Sequence, residues 1–123
     1  DTRITVETAG AFASYTPTQI IQGEISAATQ QGATFSQIAS ATRTQSVGGE
    51  VWQRQEYTVT LKITPTPTAT ATATPTTAHL HMAILATRHL GRGYVIVLTS
   101  DDTAFVKADT TYFEPTLTTF RFS

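Results

Sequence analysis

The sequence predicts an α+β domain built on an antiparallel β-sheet meander flanked by helices. Three observations carry that expectation. Residues alternate with period two from Val51 to Ile63, and a second alternating run begins at His79. A third run, Tyr94-Val95-Ile96-Val97-Leu98, is β-branched and largely apolar, and follows the turn Gly91-Arg92-Gly93. Strands near 51–63, 79–88 and 93–99 are consecutive in the chain, which predicts three antiparallel neighbours.

Composition bounds the class. A chain of 123 residues is one domain, 1–123, large enough to bury a core without staples. Hydrophobic residues make up 40%, as in globular rather than disordered chains. The net charge is −1 and the eight Lys and Arg are scattered, so nucleic-acid binding is not expected. With no Cys, neither a disulfide framework nor a thiolate metal site can form. No apolar run approaches the roughly 18 residues of a membrane span. Asn is absent and Met occurs once, a depletion associated with heat adaptation, although eight Gln remain and only 14% of residues are charged. A moderately thermophilic, exported origin is the expectation, and the start at Asp1 without Met fits a processed or trimmed chain.

The elements follow in order. Arg3-Ile4-Thr5-Val6-Glu7 alternates as a short first strand. Thr16-Pro17 opens a helix, with Thr16 as cap and Pro17 where its missing donor costs nothing. Ile20, Ile21, Ile25 and Ala28 fall on one helical face, and Gly32 is a natural stop. A polar, β-compatible stretch from Phe35 to Val47 is joined through Gly48-Gly49 to the strand beginning at Val51, which predicts a hairpin. Val51, Tyr57, Val59, Leu61 and Ile63 share one face of that strand; Trp52, Arg54, Glu56, Thr58, Thr60 and Lys62 share the other. The tract Thr64–Thr77 holds eight Thr, three Pro and three Ala, and is expected to be an inserted exposed loop. It is also a candidate O-glycosylated segment. Beyond it, Leu80, Met82, Ile84 and Ala86 face one way, and His79, His81, Ala83 and Leu85 the other. Ser100-Asp101-Asp102 is expected to cap a helix, Phe105–Phe113 to be its amphipathic body, and Glu114-Pro115 to stop it. Leu117–Phe122 then reads as a closing strand.

In this arrangement the chain resembles the PsbP-like superfamily, which holds the extrinsic photosystem II protein and LpqN-type bacterial lipoproteins. The residues concerned are Gly48-Gly49 before Val51-Trp52-Gln53-Arg54-Gln55-Glu56-Tyr57, the strand Gly93-Tyr94-Val95-Ile96-Val97-Leu98, the helix Asp101–Glu114, and Leu117-Thr118-Thr119-Phe120-Arg121-Phe122. Thr119 stands where that family usually has Ser. The similarity covers residues 16–123; the N-terminal strands are abbreviated and the Thr/Pro tract is an insertion. The resemblance implies an antiparallel sheet layered with helices, and an extracytoplasmic, non-enzymatic role in binding or assembly. It further implies a location in the cell envelope or outside the cell. Membrane attachment is expected only through an N-terminal lipid anchor ahead of this sequence.

Chemistry-bearing residues are few. His79 and His81 project from one strand face and are candidate metal ligands, with Glu56 or His89 as a third. Two histidines at this spacing arise easily, so neither a metal nor another cofactor is expected. Asp101 and Asp102 fit a helix start better than an acid–base pair. There is no Gly-x-Ser-x-Gly elbow, and no helix follows the glycines to form a phosphate loop. Trp52, beside Arg54 on the polar face, is either covered by a helix or offered to a partner, so Trp52 and Arg54 are the candidate partner-binding residues. Phe105, Tyr112, Phe113, Phe120 and Phe122 are expected in the core. Two roles result: a non-catalytic domain that binds a protein partner or joins an envelope assembly, or a self-assembling surface or filament subunit that adds strands to a neighbour's sheet.

Overall fold

The computed structural model describes residues 2–9, 14–63 and 76–122. Six strands form one antiparallel sheet: β1 (Arg3–Ala9), β2 (Ala33–Gln37), β3 (Arg43–Val47), β4 (Glu50–Ile63), β5 (Thr76–His89) and β6 (Arg92–Asp101). The order across the sheet is β1-β6-β5-β4-β2, with β3 also on β4. β4, β5 and β6 are the expected meander, and β1 pairs with β6 from Arg3↔Thr99 to Ala9↔Gly93. β2 and β3 occupy successive halves of β4's outer side, separated by a 3-10 turn at Ala39–Ala41.

Helix α1 (Pro17–Gln30) starts as the sequence predicts. Thr16 Oγ1 accepts from the Gln19 amide at 3.2 Å, and Gln19 Oε1 accepts from the Thr16 amide at 2.9 Å. Its Ile20 and Ile21 are fully buried against Tyr57, Val59, Ile84, Ala86 and Val95 on one face of the sheet. The chain's last helical region covers the other face. There Phe105, Ala108, Phe113 and Leu117 pack on Trp52, Ala83, Leu85, Ile96 and Leu98. The molecule is therefore three layers deep, and β5 and β6 are apolar on both sides because both sides are covered.

The C-terminal third departs from expectation in four ways. Ser100-Asp101 does not cap a helix: Ser100 is a buried β6 residue whose hydroxyl donates to the Asp101 carbonyl. The helix does not stop at Glu114-Pro115 but runs through α2 (Phe105–Ala108), a π segment Asp109–Phe113 and α3 (Glu114–Thr119). Proline is tolerated because the wider π turn already interrupts the ordinary hydrogen-bond ladder just ahead of it. Leu117–Phe122 is not a strand either. Thr118 and Thr119 hydroxyls return to the carbonyls of Pro115 and Thr116 at 2.6 and 2.7 Å, and only Phe120 onward is extended. Finally, Tyr112 is 56% exposed rather than core. The π turn inserts one residue into the helical phase, so the face that begins at Phe105 and Ala108 continues at Phe113.

The expected loop at 64–77 lies outside the described residues from 64 to 75, while Thr76 and Thr77 belong to β5. Two other connections are two-residue hairpin turns. Gly48 and Gly49 have φ of 62° and 86°, and a Cβ on Gly48 would meet the Phe120 ring at 3.0 Å. At the β5–β6 turn the same left-handed geometry is imposed on Leu90 (φ 50°), followed by Gly91 (φ 78°). Leu90 is 89% exposed, so no burial offsets that backbone cost. Leu90→Asn, the residue this turn favours, is expected to raise stability by about 0.5–1 kcal/mol in urea unfolding at unchanged slope.

Candidate functional site

The polar face of β4 lies inside the molecule. Alternation puts Trp52, Arg54 and Glu56 on the side covered by the C-terminal helices, and all three are buried. Neither Trp52 nor Arg54 is offered to a partner, which corrects that expectation: the helical layer and the chain end close over them. Trp52 Nε1 donates to the Val47 carbonyl at 2.9 Å, while Phe122 stacks on its ring and Phe120 meets it edge-on. Phe122 in turn stacks on His89 at 3.9 Å between centroids.

Arg54 is the centre of the arrangement. Its Nε donates to Glu56 at 3.2 Å, and one terminal nitrogen reaches Gln45 at 2.8 Å and Glu114 at 3.2 Å. The other terminal nitrogen lies 3.4 Å from Asp109. Gln45 also donates to both Glu114 oxygens, at 3.2 and 2.9 Å, and Arg43 stands 3.7 Å from the same carboxylate. Asp109 and Glu114 are five residues apart. On an α-helix that spacing would leave them about 140° apart, too divergent to share one guanidinium. The π segment between them brings them to one side.

The cluster continues through Glu56. Its second oxygen is 2.8 Å from His81 Nε2, and His81 Nδ1 is 3.5 Å from Asp102. The His81 ring stacks on Phe105 with centroids 3.6 Å apart. Three carboxylates share Arg54, and burial, outweighing the attraction of that guanidinium, pushes the Asp109 carboxyl above its usual range. Among the described residues, every buried side-chain nitrogen and oxygen has a hydrogen-bond partner.

The proposed metal ligands are not assembled into a site. His79 is exposed, His81 is held between Glu56 and Asp102, and His89 lies towards the other end of β5, 2.9 Å from Glu50. Among the described residues no group of three His, Cys, Asp or Glu is placed to hold a metal ion. Sequence reasoning identified Glu56 and His81 but missed Gln45, Asp109 and Glu114 as one unit. The available signal was the apolar run of β6, which implies cover on both sheet faces.

Two further features lie outside this cluster. Beyond α1 on its own side of the sheet, a cleft of about 410 Å³ has Leu61, Leu80 and Met82 as its floor, with Arg3 and Asp101 at its rim. Between α1 and β1, Glu24 hydrogen-bonds Glu7, and burial together with that neighbour raises the Glu24 carboxyl from 4.5 to about 7. No protein-family model matches the sequence, and no curated protein matches it. What fold and site define is an architectural class, an α+β domain with a six-stranded antiparallel sheet.

Arg54→Met leaves Glu56, Asp109 and Glu114 facing one another under the helix, and is expected to cost about 3–5 kcal/mol in chemical unfolding. Adding Glu56→Gln and Glu114→Gln to that variant should recover much of the loss. At Glu24 the folded protein holds its proton more tightly than the unfolded chain, so the stabilisation is complete below the ordinary carboxyl range. It disappears as pH rises through about 7. Glu24→Gln, which mimics the protonated form, should melt higher than the wild type at about pH 8 and converge with it near pH 4.

Proposed function

We propose that this chain is a PsbP-like, non-catalytic binding or assembly domain that works outside the cytoplasm, in the cell envelope or as a secreted protein. One observation supports this reading best. The residues suited to acid–base chemistry, His81, Glu56, Asp109 and Glu114, are tied directly or through Arg54 into one cluster that fastens a helix to a sheet. Their arrangement serves position rather than turnover. What the domain presents outward is the rim of the sheet, the cleft floored by Leu61, Leu80 and Met82, and single apolar side chains such as Val51 and Val106. Clefts with an apolar floor and a few charged groups at the mouth suit a peptide side chain or a small apolar group.

A second reading, self-assembly, is favoured by one further observation. β1 ends the sheet, and no strand among the described residues pairs with its outer side. In this reading the Thr-rich segment 64–77, O-glycosylated on its threonines, takes part in the assembly together with strand addition. No helix of the described chain is long and apolar enough to cross a membrane.

Photo-crosslinkers placed singly at Val6, Val51, Leu90 and Val106 in producing cells test the binding role. At least one position is expected to yield a discrete protein adduct of reproducible mass. Absence of any adduct from all four positions would overturn the reading. So would a turnover that Glu56→Gln abolishes at unchanged melting temperature.

A further inference from the structure

We propose that the domain forms a closed two-fold dimer in which β1 of one copy pairs antiparallel with β1 of a second copy, centred on Thr5; this rests on the assembly reading above. The strand is self-complementary about that centre. Arg3 of one copy falls opposite Glu7 of the other, Ile4 opposite Val6, and Thr5 opposite itself. Each side chain therefore meets a partner of the kind that stabilises cross-strand pairs, opposite charge on one face and apolar contact on the other.

Each face of the edge is prepared for this. Arg3, Thr5 and Glu7 lie on the α1 side, where Glu24 hydrogen-bonds Glu7 and the negative charge of that pair faces one incoming guanidinium. Ile4 and Val6 lie on the other side, and Val6 is 50% exposed although it sits in a strand. Beside Ile4 a shallow groove is walled by Tyr112 and Thr116, and Tyr112 is the residue that the π turn pushed out of the core. The second copy's Val6 reaches Ile4 at the mouth of that groove.

The sheet's two edges differ in a way that selects closure over a fibre. β1 is an uninterrupted strand of seven residues, whereas the opposite edge is split into β2 and β3 by the Ala39–Ala41 turn. A broken edge is a poor template for a straight incoming strand. Pairing of like edges uses up β1 on both copies and leaves nothing to propagate.

Sedimentation velocity on the full chain at low salt tests the dimer. The wild type should shift from monomer to dimer mass across a concentration series. Arg3→Glu and Glu7→Arg, each alone, put like charges opposite one another twice per dimer and should weaken association at least tenfold at unchanged circular dichroism. An equimolar mixture of the two variants pairs opposite charges at both positions and should restore dimer mass, as should both changes in one chain. Because the chain has no Cys, Thr5→Cys supplies a second probe that leaves the charges intact, and oxidation should give a covalent dimer that Glu7→Cys does not give. A wild type that stays monomeric up to its solubility limit overturns the proposal, as does a dimer indifferent to both reversals or a mixture that stays monomeric. If the chain is monomeric yet gives the crosslinked adduct to another protein described above, the dimer fails and the binding reading survives; if neither is seen, both fail.

Discussion

A single buried guanidinium holds the two halves of this molecule in register. Arg54 lies on β4, yet its donors are accepted by Gln45 on β3, by Glu56 on its own strand, and by Asp109 and Glu114 on the helical layer. Arginine suits the task because its planar fork carries five N–H groups that can serve several acceptors at once. Apolar packing by Phe105, Phe113 and Leu117 fixes the distance between helix and sheet. Packing of that kind tolerates sliding and rotation. The directional bonds of Arg54 do not, so the angular setting of the helix depends on them.

That requirement explains the irregular helix. A regular α-helix would direct Asp109 and Glu114 to different sides, and only one would reach the guanidinium. Introducing the π turn lets both point inward while Phe113 takes the core position seven-residue spacing would have given to Tyr112. Pro115 sits where the ladder has already lost its regular pairing. The phase slip, the proline and the displaced tyrosine are therefore one structural event.

Much of the fold was legible from local pattern. The cap at Thr16, the two-residue turn at Gly48-Gly49 and the alternation of β4, β5 and β6 all depend on neighbours within a few residues. The C-terminal third was not, because its conformation is decided at a distance. Leu117–Phe122 carries β-branched and aromatic residues that favour a strand, but the edge beside β1 is not taken by them, and Leu117 gains more by continuing the buried helical face. The site was legible in part. Glu56 and His81 could be placed on one sheet face by counting, but Asp109 and Glu114 could not be joined by any α-helical spacing. Trp52 and Arg54 stand among polar neighbours in sequence, and only the second helical layer turns that face inward.

The pairing of β1 with β6 imposes an order on folding. Almost the whole length of the chain separates Arg3 from its partner Thr99, whereas the β4–β5 and β5–β6 pairs join adjacent segments. Closing so long a loop is entropically slow, and the strand that seats last has few contacts to hold it early. Of the six strands the first in sequence is thus among the last to find its place, and until then the flank of β6 stays uncovered. A chain that folds in this order is most vulnerable to aggregation after β6 has formed and before β1 has arrived.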